Sequence, residues 1–122
     1  MSSTTLTTFD LPRFARAAHE RDAATQLSMY SPQATVTIVD KNTQPSRPRV
    51  LRGTAEIKSW LEDMYGRDLT HEVGHTVSDP AGAAYTQACQ YPDGTNVICA
   101  TVIELEQGAI ARQSVIQVWD EA

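Results

Sequence analysis

From Thr70 to the end of the chain, apolar residues fall on alternate positions. The runs "THEVGHTVSD", "AAYTQACQY", "TNVICATVIELE" and "AIARQSVIQVW" repeat with a period of two, the mark of strands with one buried face. They are separated by "DPAG", "PDG" and "EQG", all strong turn signals. The first half reads differently. "FDLPRFARAAHERDAATQLSMY" places Phe14, Ala17, Ala18 and Leu27 at helical spacing, with Asp10 as a cap and Pro12 in the first turn. Asp22 is a second cap, which predicts two helices meeting at "ERD". "ATVTIVD" is short and β-branched, hence a strand, and "KNTQPSRPRV" carries two prolines and reads as loop. "GTAEIKSWLEDMYG" predicts a helix capped by Thr54, with Ile57, Trp60, Leu61 and Met64 on one face and Gly66 as its stop. The order α-α-β-α-β-β-β-β, helices first and then an antiparallel sheet, predicts an α+β domain.

One of these strands contains His71-Glu72-Val73-Gly74-His75, the H-E-x-x-H pattern of zinc proteases. That chemistry needs both histidines on one helical turn, about 6 Å apart along the axis. On a strand the same separation is about 13 Å, too far for a shared ion. Thr70, Val73, Thr76 and Val77 favour strand, and Gly74 in a helix interior costs about 1 kcal/mol. The motif is therefore read as coincidental, and no metal or other cofactor is expected.

If the "PDG" turn centres on Gly94, Cys89 lies opposite Cys99, Gln87 opposite Thr101 and Tyr85 opposite Ile103. One sheet face then gathers Tyr85, Gln87, Cys89, Tyr91, Val97, Cys99, Thr101, Ile103 and Leu105. It takes in His71, Val73, His75 and Val77 if odd numbers stay together. Such a mixture of apolar residues with His, Gln, Thr and Tyr suits a small-molecule pocket better than a plain core, because every buried polar group needs a partner. The opposite face carries Ile98, Ala100, Val102, Ile110, Ile116 and Val118, which predicts a homodimer packed through the outer side of the sheet.

A chain of 122 residues has room for one domain, here residues 1–122, with 1–8 expected to be flexible. The formal charge of −5 and the scattered Lys and Arg residues argue against a nucleic-acid partner. No apolar run reaches the roughly 20 residues of a membrane span, and "MSSTTLTTFD" lacks the basic start and the apolar run expected of a signal peptide. A cytoplasmic location and no membrane partner are expected. Cys89 and Cys99 are read as reduced, buried thiols, since a cross-strand disulfide is uncommon in that compartment.

The stretches "ERDAATQLSMYSPQATVTI", "LRGTAEIKSWLEDM" and "YPDGTNVICATVIELEQGAIARQSVIQVWDE" together resemble the SnoaL-like branch of the nuclear transport factor 2-like superfamily. The resemblance covers nearly the whole chain and rests on order and spacing rather than on one motif. It implies a cone: a curved antiparallel sheet wrapped around the N-terminal helices, with a pocket at the wide end. Ketosteroid isomerases of this fold use a tyrosine, an aspartate base and a second acid, and those positions hold Phe14, Ile38 and Thr101 here. Limonene epoxide hydrolases use an Arg-x-Asp pair that these strands lack, and Val115 falls near their last aspartate. Neither chemistry is expected.

Polyketide-cyclase relatives work through an acid/base residue, for which the candidates are Asp40 and His75, with His71 a further titratable group. Gln113, Gln117 and Trp119 are implied to face inward on the last strand. With Tyr30, Trp60, His71, Tyr85, Gln87 and Thr101 they form the expected ligand-binding set. Bland readings stand beside these: Asp40 opening the "DKNT" turn, the histidines hydrogen-bonded on the sheet, the aromatics packed in the core. The function implied is binding of a small hydrophobic metabolite, with acid–base isomerase, cyclase or hydrolase chemistry. The alternative is a non-catalytic dimeric binding or assembly module.

Overall fold

Two aspartates start the helices. In the computed structural model, which describes residues 9–121, the Asp10 side chain accepts from the Arg13 backbone N–H at 3.0 Å and opens α1 (Leu11–His19). Asp22 does the same for Thr25 at 3.1 Å and opens α2 (Ala23–Leu27). These caps satisfy amide hydrogens that have no partner in a first helical turn. The chain turns between the helices at Arg21, in the left-handed region at φ 57°. The expected flexible segment 1–8 lies outside the described residues.

Strand β1 (Tyr30–Val39) is followed by a short strand, β2 (Arg49–Arg52), where a loop running straight into the helix was expected. β2 pairs antiparallel with β1, Leu51 opposite Val36. Four residues are too few for a period-two signal beside the prolines, so the pattern hid it. The expected cap at Thr54 is also corrected. α3 (Gly53–Gly66) begins at Gly53, and the Glu56 carboxylate reaches back to accept from the Arg52 backbone N–H at 2.8 Å.

β3 (Thr70–Asp79), β4 (Gly82–Gln90), β5 (Asn96–Glu106) and β6 (Ala109–Trp119) follow as the alternation predicted. The six strands form one sheet in the order β2-β1-β6-β5-β4-β3. It is mixed rather than wholly antiparallel, because β1 runs parallel to β6. The helices cover one face: α3 packs on β1 and β2, α1 against β3. Phe14, Val36, Ile38, Ile57, Leu61, Ile103 and Ile110 fill the space between.

Three register details depart from the simple pattern. Residues 91–95 form the β4–β5 loop, closed by Tyr91 N–H to Thr95 C=O at 2.9 Å. The hairpin is thus centred on Asp93, with Gly94 taking the left-handed position at φ 91°. Gln87 faces Cys99 and Cys89 faces Val97, so the expected Cys89–Cys99 opposition is wrong by two residues. Parity is kept, and the cysteines are diagonal neighbours on the same face.

A bulge in β3 sets Gly74 and His75 together against Thr86. A Cβ on Gly74 would come 2.8 Å from Thr86 Oγ1, which fits glycine at this crowded point. A second bulge, at Ala111, turns Ile110 inward to full burial, where an outward position was expected.

Candidate functional site

Alternation on β4, β5 and β6 sends their odd-numbered side chains inward, and between these and α3 lies a cavity of about 450 Å³. That is within the size range of small-molecule sites. Its buried wall holds His71, Gln87, Cys89 and Cys99, with Trp60, Met64 and Ile38 as the apolar side. The rim carries Asp40, Lys41, Asp63, Arg67 and Asp93. Trp119 stands there against Tyr91, ring centroids 5.6 Å apart, with Lys41 Nζ 4.2 Å above its ring. Its indole N–H donates to Gln117 Oε1 at 3.1 Å.

The polar side of the wall is organised around His71. Gln87 Nε2 lies 3.0 Å from His71 Nδ1, and Cys89 Sγ 3.3 Å from the same nitrogen. An amide N–H can only donate, so in the neutral ring Nδ1 accepts and Nε2 carries the proton. The imidazole is 1% exposed and meets Tyr65 edge-on at 4.9 Å. Its Nε2 is buried without a hydrogen-bond partner among the described residues. A buried polar atom left unpaired costs about 1–3 kcal/mol.

The two cysteines, both free thiols, push each other's ionisation apart. Cys89 falls from its ordinary value near 9.0 to about 5, first because the Cys99 thiol donates to it, then through His71 and Gln87, against the opposing effect of burial. Cys99 is raised by that same contact and by burial. A depressed thiol favours the folded chain fully above its unfolded value, and that stability drains away as pH falls through about 5. In reducing buffer, the thermal midpoint of the protein should therefore climb more steeply from about pH 5 to 8 than that of Cys89→Ala. Parallel curves would refute the shift.

The expected site residues divide into three groups. Asp40, Trp60, His71, Gln87, Gln117 and Trp119 line the cavity. Asp40 also opens its turn, Oδ1 accepting from the Asn42 N–H at 2.8 Å, so the functional and the bland reading share one geometry.

Tyr30, Tyr85, Thr101 and Gln113 line a space of only about 20 Å³ deeper in the core, which shares Trp60, Gln87 and Gln117 with the larger cavity. Tyr30 donates to Gln113 Oε1 there, and Thr101 and Gln113 offset part of the effect of burial on the Tyr85 hydroxyl. Burial holds both tyrosines well above the usual phenol range, so they stay neutral donors. Beyond them, Tyr65 donates to Gln26 Oε1 at 2.7 Å, and Gln26 Nε2 donates to the Phe14 carbonyl at 3.0 Å.

His75 stands apart. It is exposed and outside the cavity, because the bulge at Gly74 breaks the alternation that would have placed it beside Gln87. Val73 faces Gln87, and His71 faces Cys89. His71, not His75, is the histidine on the cavity wall. Sequence reasoning put Cys89 and Cys99 on the correct face but read them only as packed thiols.

No family model matches the chain, and no curated protein matches its sequence. The fold is shared with solved structures. An NTF2-like protein of unknown function from Mesorhizobium loti superposes with a TM-score of 0.74 at 12% identity, covering 88% of this chain and 87% of that one. SalBIII, an epoxide hydrolase/cyclase-like enzyme in pyran ring formation in the polyether salinomycin, gives 0.67 at 22% identity over 88% and 87%. A Sinorhizobium meliloti protein provisionally assigned as a polyketide cyclase gives 0.64 at 17% over 86% and 91%. The α+β architecture is thus that of nuclear transport factor 2-like proteins. Among the described residues, no helix is long and apolar enough to cross a membrane.

Proposed function

We propose that the cavity takes a small, largely apolar metabolite bearing a carbonyl group. The chain then moves a proton on the carbon beside that carbonyl, as a cofactor-independent isomerase or cyclase of the SnoaL-like kind. The observation that carries this reading is His71, a buried histidine lining a cavity large enough for a ligand, whose Nε2 has no hydrogen-bond partner among the described residues. A ligand oxygen accepting from it would relieve the desolvation cost and stabilise the negative charge that grows on that oxygen as the neighbouring proton leaves. Asp40 at the rim is the base by position, Gln87 and Gln117 orient the ligand, and Trp60 and Trp119 supply apolar walls. Cyclase chemistry is named for SalBIII, which adds support by likeness of fold alone.

Exchange of the α-protons of 2-tetralone in deuterated buffer, followed by NMR, reads such a step without knowledge of the natural substrate. The chain should accelerate it well above the buffer rate. Positioned proton transfer contributes about 10²–10⁴-fold, and Asp40→Asn or His71→Phe should each remove most of the gain with the fold retained by circular dichroism. Exchange at the buffer rate with the unaltered protein refutes the proposal.

The outer face supports a homodimer. Ile98, Val102, Ile116 and Val118 are 53–63% exposed. They are contiguous, with Ile98 facing Val118, Ala100 facing Ile116, and Val102 linked through Ala84 to the exposed Val77. A patch of that kind marks an interface in a chain with a polar surface elsewhere. The two free thiols fit a reducing, cytoplasmic setting.

A further inference from the structure

Proton transfer on a ketone makes no use of the cavity's two thiols. Cys89 on β4 faces His71 of β3, its Sγ 3.3 Å from His71 Nδ1. Gln87 Nε2 lies 3.6 Å from the same sulfur, and Cys99 of β5, the partner of Gln87, is its diagonal neighbour. A base that takes the proton and donors that hold the anion are what a nucleophilic cysteine requires. A purely packed thiol is inert in apolar surroundings. Cys89 instead lines a cavity of about 450 Å³ together with a histidine whose second nitrogen has no partner among the described residues.

We propose that Cys89 is a covalent binding site for α,β-unsaturated carbonyl compounds that enter the cavity, with His71 handling its proton. The proton passes from Sγ to His71 Nδ1, and the Gln87 amide then donates to the sulfur. Sγ forms a bond to the β-carbon as the C=C π pair moves to the α-carbon and on to the carbonyl oxygen. That oxygen accepts from His71 Nε2. The proton held on the imidazole goes to the α-carbon, leaving a saturated ketone joined to Cys89 by a thioether. Thiol and enone supply every atom and electron, so no oxidant or cofactor takes part.

Other titratable groups near the sulfur do not compete for this role. Tyr65 on α3 and Tyr85 on β4 are kept neutral by burial. At the rim Asp63 and Arg67 neutralise each other in an ion pair of 2.6 Å, with Asp40, Lys41, Arg49 and Asp93 the remaining charged groups around the opening.

The test is incubation of the reduced protein with 2-cyclohexenone, read by intact mass and peptide mapping. One adduct per chain is expected, on Cys89. At about pH 6 it should form about fivefold or more faster than on a small free thiol, because the larger thiolate fraction outweighs the lower nucleophilicity of a more acidic thiol. The rate should be half-maximal near pH 5, against about 8.5 for an ordinary cysteine. Cys89→Ala should abolish the adduct, and Cys99→Ala should keep it while moving the pH profile upward.

Three results overturn the proposal: modification at Cys99 alone, no modification where the unfolded chain reacts at both cysteines, or a Cys89 rate and pH profile matching the free thiol. Adduct formation requires no α-proton exchange, so this site and the proton-transfer reading can fail separately.

Discussion

Replacing Phe14 with alanine is expected to cost about 3–5 kcal/mol of folding stability, the usual range for a buried phenylalanine. The ring is 1% exposed. It lies edge-on to Tyr85 at 6.0 Å, with Tyr30 at 6.3 Å and Phe9 at 5.4 Å. With Leu11, Ala17 and Ala18 it fastens α1 to the inner face of the sheet, so its loss leaves a void between two layers that cannot close without moving the helix. Against a typical total of about 5–15 kcal/mol, this removes a large share. The effect should appear as a lowered urea midpoint with little change in slope. A loss below about 1 kcal/mol would mean that α1 is held by something other than this aromatic cluster.

The second large effect concerns assembly. In the proposed dimer Ile116 sits at the middle of the outer patch, facing Ala100 and flanked by Val118. Ile116→Lys places a charge there, and twofold symmetry does so twice. Burying an unpaired charge costs several kcal/mol, so the dissociation constant should rise by at least about a hundredfold. Sedimentation velocity should find the unaltered chain dimeric and the variant monomeric, with cavity chemistry retained. If the unaltered chain sediments as a monomer, the apolar patch has another use.

Much of this architecture could be read directly from the residues. Asp10 and Asp22 mark both helix starts because a capping carboxylate acts on amides three residues away, a local relation visible in sequence. Strands β3 to β6 are legible because burial of one face imposes alternation. Alternation also put Gln117 and Trp119 on one face of the last strand, and the family resemblance turned that face inward, to the cavity they line.

What the pattern did not disclose is where alternation breaks. The glycine at position 74 lets two residues share one partner, and that single insertion moves His75 to the surface and leaves His71 as the histidine on the cavity wall. Glycine at a bulge and glycine in a plain strand look alike in one sequence. Likewise, "PDG" fixes that a turn occurs but not whether it centres on residue 93 or 94. The difference of two residues decides which side chain faces Cys99. Parallel pairing of β1 with β6 joins segments about eighty residues apart, beyond any local signal. The unequal ionisation of Cys89 and Cys99 depends on that register, so it too became visible only with the fold.

The measurement that bears most directly on the central claim is a crystal structure of the chain equilibrated with 2-tetralone at a concentration that saturates α-proton exchange. One ketone is expected inside the cavity between Trp60 and Trp119, its oxygen within hydrogen-bonding distance of His71 Nε2. A cavity without the ketone, or a ketone bound only on the outer sheet face, would contradict it.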